Sequence, residues 1–130
     1  MTDQARKLGL TPGVVATLDS APVGWRLEQP FDLVADAASA DVIVAFCTSE
    51  VDLRSRLPAL ARRIYPAGAL WIAWPRKAAG HVSDLGDAVV RAVILEVGLV
   101  DTKVAVIDTD WSGLKVVWRL ANRQGPTPPV

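Results

Sequence analysis

Residues 41–74 read DVIVAFCTSEVDLRSRLPALARRIYPAGALWIAW, and this stretch decides the fold. Its first seven residues, Asp41 to Cys47, are a continuous β-branched apolar run rather than an alternating one, the pattern of a strand buried on both faces. Thr48 or Ser49 then supplies an N-cap, with Glu50 and Asp52 in the first turn where acidic groups complement the helix dipole. From there to Tyr65 the spacing predicts a helix, with Val51, Leu53, Leu57, Leu60 and Ile64 on roughly one face. Pro58 inside it removes one hydrogen bond and crowds the preceding turn, so a kink or a split is expected there. Pro66-Ala67-Gly68 ends the helix, and Ala69 to Trp74 is again apolar on both faces. Strand, helix, strand in this order implies a right-handed parallel crossover.

Working outward, Ser83 is placed to cap a second helix from Asp84 to Val97, closed by Gly98. Lys103 to Ile107 and Leu114 to Leu120 read as two strands joined by the short Asp108–Gly113 connection, hence an antiparallel hairpin. On the other side, Thr11-Pro12-Gly13 is a turn that releases the chain into a strand over Val14–Leu18. An irregular loop, Asp19 to Trp25, follows, and Phe31–Val34 is a weaker extended stretch entered by Pro30. The expected organisation is a polar N-terminal segment (residues 1–12), one α/β domain (13–121) with a small, mostly parallel, Rossmann-like sheet, and a flexible Pro/Gly-rich tail (122–130).

With 130 residues and 51% hydrophobic content the chain can bury a core without disulfides. Its 14 basic and 14 acidic residues leave no net charge, so no global field favours nucleic acid or an anionic membrane. Cys47 is the sole cysteine, which fits a reducing cytoplasm and excludes both an internal disulfide and a Cys-rich metal site. The N-terminus lacks the apolar core of a signal peptide, and the apolar stretch 88–100 is interrupted by Arg91 and Glu96. A soluble cytoplasmic protein is expected, with no nucleic-acid or membrane partner and no metal or bound cofactor.

Ligands of open parallel sheets gather beyond the carboxyl ends of the strands, which here collects Asp19 and Ser20, Cys47 and Thr48, the Trp74–Asp84 loop and Asp108. That loop is basic, contains Gly80, and reads as running straight into a helix N-terminus, so Arg76, Lys77, His81 and Ser83 are candidates for holding an anion. His81, the sole histidine, would need a partner such as Asp84 for proton transfer. Cys47 closes an apolar strand and reads as buried and inert. Trp71, Trp74 and Trp118 interrupt strand sequence and read as core. Trp25 and Trp111 fall in loops and are candidates for a ligand or subunit contact. Asp101, Asp108 and Asp110 suggest a hard-cation site only weakly, because Asp-Thr-Asp-Trp-Ser-Gly already satisfies hairpin-turn chemistry.

From Asp41 onward the order of elements (buried strand, helix, the Gly-Ala-Leu-Trp-Ile-Ala-Trp strand, helix, hairpin) resembles the second half of a class I S-adenosylmethionine-dependent methyltransferase. The resemblance covers about 80 residues, up to position 120, and implies a truncated methyltransferase-like fold. In that family a glycine-rich loop follows the first strand and helps hold the cofactor; Asp19-Ser20-Ala21-Pro22-Val23-Gly24-Trp25 stands there instead, so the cofactor fingerprint is missing. Leu70–Lys77, Asp84-Leu85 and Trp111–Lys115 also resemble a family of small bacterial proteins of unknown function, which carries no activity to transfer. Three functions therefore follow: a non-catalytic module binding a small anion or a protein, a degenerate S-adenosylmethionine-dependent transferase, or a homo-oligomeric assembly protein.

Overall fold

The computed structural model describes residues 3–130. Five strands form one sheet in the order β1-β2-β3-β5-β4: β1 (Ala16–Asp19), β2 (Val42–Phe46), β3 (Ala69–Pro75), β4 (Leu99–Val106) and β5 (Trp111–Trp118). β1, β2 and β3 are parallel, and β5 lies antiparallel between β3 and β4. Sequence and structure agree on the two buried strands, because all five residues of β2 and six of the seven in β3 are buried. The crossover from β2 to β3 carries α2 (Glu50–Arg63), and the one from β3 toward β4 carries α3 (Asp87–Val97).

Both helices pack on one face of the sheet, where Ile43, Leu70, Ile72, Leu114 and Val116 meet Leu53, Leu57, Leu60, Val90 and Ile94. Of the residues assigned to the buried stripe of α2, Val51 is the exception and lies exposed. Two residues at 100° each put it nearly opposite Leu53. Nor does Pro58 split the helix; α2 runs unbroken through it, leaving the carbonyl one turn earlier, on exposed Arg54, without an intrahelical donor. Trp118 is fully buried on this face, and its Nε1 donates to the Ala61 carbonyl at 2.9 Å.

The opposite face is covered without a long helix. α1 (Gln4–Lys7) and the following Leu8 and Leu10 pack against Val42, Val44 and Trp71. Gln4 is buried; its Nε2 donates to the Ile107 carbonyl and its Oε1 accepts from the Glu28 N–H. Trp71, fully buried, donates from Nε1 to the Leu8 carbonyl at 3.1 Å. The N-terminal segment, expected as a polar stretch ahead of the domain, is thus part of the sheet's packing from Gln4 onward; Met1 and Thr2 lie outside the described residues. In the C-terminal stretch, Tyr65 donates to the carbonyls of Gln124 and Gly125, and Arg123 Nε donates to Trp118 O.

Several boundaries differ from the sequence reading. β5 runs Trp111–Trp118 rather than Leu114–Leu120, so Trp111 opens a strand paired to Pro75 instead of lying in a loop, and β1 starts at Ala16 rather than Val14. α3 starts at Asp87 behind Gly86, not at Asp84 behind Ser83: Leu85 is sunk into the core, and residues 81–86, with a bend at Asp84, form no helix. β4 starts directly after Gly98, whose φ of 96° reverses the chain without a loop. Phe31–Val34, read as an extended stretch, forms no strand; Val34 N donates to Ala16 O at 2.8 Å.

Candidate functional site

The carboxyl ends of β1 and β2 converge on a half-buried charge cluster. Asp19 ends β1, and Ser20 follows in the left-handed region at φ 56°, which turns its hydroxyl back to donate to Asp19 Oδ1 at 3.1 Å. Arg56 donates to the same oxygen, while Arg63 Nη1 donates to Asp19 Oδ2 at 3.0 Å, so each carboxylate oxygen meets its own guanidinium. Arg56 also donates to the Phe46 carbonyl at 2.8 Å and to Asp52 Oδ2 at 2.9 Å. Arg63 Nε reaches the Ala37 carbonyl. Spacings of four and seven residues put Asp52, Arg56 and Arg63 on one flank of α2, beside its buried stripe.

Burial opposes ionisation of Asp19, but the hydrogen bond and charge of Arg56, with bonds from Ser20 and Arg63, outweigh it and hold the carboxyl below its ordinary value. Cys47 lies within 3.5 Å of Arg56 Nη1, yet burial dominates and pushes the thiol up to about 11. At neutral pH it is a neutral thiol in an apolar wall, not a nucleophile. Asp19, Ser20 and Cys47 were among the groups anticipated at the strand ends; Arg56, Arg63 and Asp52 were not. The signal that finds them is the i, i+4, i+11 row of charges flanking an apolar helical stripe.

The loop after β3 is built differently from the expectation. Arg76 Nη1 donates to the Thr109 carbonyl at 2.8 Å and its N–H to the Asp110 carbonyl, tying the loop to the hairpin connection. Lys77 opens a short 3-10 turn, Lys77–Ala79, and is exposed. His81 Nε2 sits 2.9 Å from Asp110 Oδ1, so its carboxylate neighbour is Asp110 rather than Asp84. Asp84 instead accepts from the Glu50 N–H and serves the first turn of α2 beside the Ser49 cap. Ser83 donates to the Thr48 carbonyl and accepts from Leu85 N–H. Arg76, Lys77, His81 and Ser83 therefore do not line a helix N-terminus, because α3 begins later. Arg76 and His81 converge on the hairpin connection, and Ser83 joins Thr48 at the end of β2.

Aromatic side chains fill the space between these groups. Phe46, the last residue of β2, meets Trp25 and Trp111 edge-on, with 4.9 Å between centroids in both pairs. Asp108 binds the trio to the hairpin: its Oδ2 accepts from Trp25 Nε1 at 2.7 Å, and its Oδ1 accepts from the N–H groups of Asp110 and Trp111. That is turn chemistry, as expected. Asp101 is drawn away to Arg91, and among the described residues no group of three potential ligands gathers for a metal. No helix is long and apolar enough to cross a membrane.

Neither a protein-family model nor a curated protein matches the chain. Among solved structures the fold is similar to that of LepI. A cysteine-to-alanine variant of LepI in complex with S-adenosylhomocysteine and a substrate analogue gives a TM-score of 0.56 at 9% identity, over 88% of this chain and 39% of that one. LepI in complex with S-adenosylmethionine gives 0.52 at 11% identity with the same coverage. The antibiotic-resistance methyltransferase Kmr aligns over 85% of this chain and 78% of its own, at 18% identity and a TM-score of 0.45. The chain spans about two fifths of the length of LepI. The fold class is thus methyltransferase-like α/β, a five-stranded sheet flanked by helices, as the order of elements implied.

Proposed function

We propose that this chain is a non-catalytic binding module on a methyltransferase-like scaffold, and that it engages a protein partner rather than turning over a small substrate. One observation carries the reading: the chain's own side chains fill the place where open parallel sheets take ligands. Asp19 occupies Arg56 and Arg63, the Trp25–Phe46–Trp111 trio packs beside them, and no buried side-chain polar atom among the described residues lacks a partner. A general base or nucleophile needs a free group of suitable pKa next to open space. Cys47, with its raised pKa, and the doubly clamped Asp19 do not offer one. The anion-holding role of Arg76, Lys77, His81 and Ser83 belongs to this proposal only as a weak surface contribution, since Arg76 is already bonded to Thr109.

A second reading, a degenerate S-adenosylmethionine-dependent transferase, is favoured by the fold neighbours solved with S-adenosylmethionine or S-adenosylhomocysteine. Isothermal titration of the purified protein with each compound separates the two. No saturable heat up to millimolar ligand is the expected result; a 1:1 isotherm in the micromolar range overturns the binding-module reading and installs the transferase one.

A further inference from the structure

The edge of the sheet at β1 is unfinished. In a parallel ladder alternate residues turn both backbone groups to the same neighbour. Val15 O accepts from the N–H groups of Asp41 and Val42, which directs Val15, Thr17 and Asp19 toward β2. Ala16 and Leu18 therefore face away from the sheet. Val34 N–H satisfies Ala16 O, but the chain leaves the edge there, so among the described residues the Leu18 N–H has no acceptor and its C=O meets only the Thr17 hydroxyl, at 3.4 Å.

These edge groups open on a groove of about 430 Å³ whose apolar wall is Leu18, Trp25, Leu27, Phe31 and Leu33, with Arg26, Glu28 and Gln29 also lining it. Beyond Phe31 a second hollow of about 540 Å³ continues past Pro12 and Val14. The rim is net acidic. Exposed Glu28, Asp32 and Asp36 outnumber exposed Arg26, which lines the groove beside Glu28; none of the four forms an ion pair among the described residues, and no further basic residue occurs before Arg54.

We propose that the β1 edge is a docking groove for an extended segment of a partner protein in which apolar residues alternate with lysine or arginine. The inference rests on the binding-module reading and names its partner. Each feature of the groove selects one feature of that occupant. The unpaired Leu18 backbone groups take a strand's N–H and C=O, the apolar wall takes side chains at every second position, and the acidic rim takes the intervening cations. A second copy of this chain fits less well, because its own β1 edge brings the same acidic rim and like charges repel across such an interface.

The test is fluorescence anisotropy with a labelled nonapeptide of alternating valine and lysine, beside a version with proline at its central valine and one with glutamate for every lysine. Saturable binding of the first peptide, weakened at least tenfold in the proline and glutamate versions and in Leu33→Lys and Asp32→Lys/Asp36→Lys proteins, supports the proposal. All three changed positions are surface ones, and circular dichroism confirms that the variants are folded. No binding of the alternating peptide, or equal binding of its proline version, overturns the proposal. So does self-association in light scattering that Leu33→Lys abolishes, since that gives the groove to a second copy. S-adenosylmethionine titration of the same preparation keeps the two failures apart: a silent titration with no peptide binding removes only the groove, whereas a positive one removes the module reading itself.

Discussion

Replacing Asp19 with asparagine isolates the charge cluster at the ends of β1 and β2, because the side chain keeps its size. Asparagine can still accept one guanidinium bond through its carbonyl oxygen. Its amide group then points donor to donor at the other arginine, so either Arg56, which keeps Asp52, or Arg63, which keeps only the Ala37 carbonyl, loses its bond to position 19. A hydrogen bond to a charged group is worth about 1.5–3 kcal/mol, and leaving a buried charge unpaired costs more. Asp19 keeps 26% of its side-chain exposure and both arginines about a fifth, so solvent screening trims the total to roughly 2–3 kcal/mol. At about 4 °C per kcal/mol for a chain of this size, the melting temperature should fall by about 8–12 °C at pH 7.

The pH dependence has a definite sign. The folded carboxyl of Asp19 lies below its unfolded value of about 3.9, so its contribution is complete above that pH and is lost as pH falls through the folded value. The gap between wild type and Asp19→Asn, measured by calorimetry, should therefore stay constant from pH 7 to about pH 5 and close below about pH 4. A difference under about 2 °C at pH 7, or one that persists unchanged at pH 3, refutes the assignment of Asp19 as a clamped carboxylate.

Gly113→Ala should destabilise by about 1–3 kcal/mol, read from chemical denaturation. A Cβ there would stand 2.6 Å from Ile107 Cδ1 and 3.1 Å from Trp71 Cε3, and both side chains are buried. Cys47, with its thiol raised to about 11, should resist a thiol reagent at pH 7.5 in the native protein and react promptly in denaturant; rapid native labelling contradicts its burial. Deleting residues 1–10 uncovers Trp71 and removes the acceptor of its indole N–H, so tryptophan emission should shift to the red and the melting temperature drop; an unchanged spectrum means the segment does not pack there. Asp84→Ala takes the acceptor from the Glu50 N–H and should cost about 0.5–1.5 kcal/mol, with helix content preserved by circular dichroism.

The sequence by itself determined the parts whose signal is local and periodic. A run such as Val42–Phe46 fits a strand covered on both sides, the 53, 57, 60, 64 spacing fits a helix lying on that strand, and the Asp108–Asp110 segment reads as turn chemistry, although Trp111–Gly113, read with it, belong to β5. Those three readings were enough to fix a parallel core with a terminal hairpin, and with it the methyltransferase-like class. Tertiary structure alone decided the rest, because pairing partners far apart in the chain leave no periodic trace. Nothing local in Asp19 shows that two arginines 37 and 44 residues later will hold it, and nothing in Ser83 shows that Leu85 will be drawn into the core and delay α3 to Asp87. The polar N-terminal segment became packing because the sheet's second face has no long helix to cover it. Burying Trp71 there offsets the ordering of α1, a balance set by the completed sheet and not by residues 3–10.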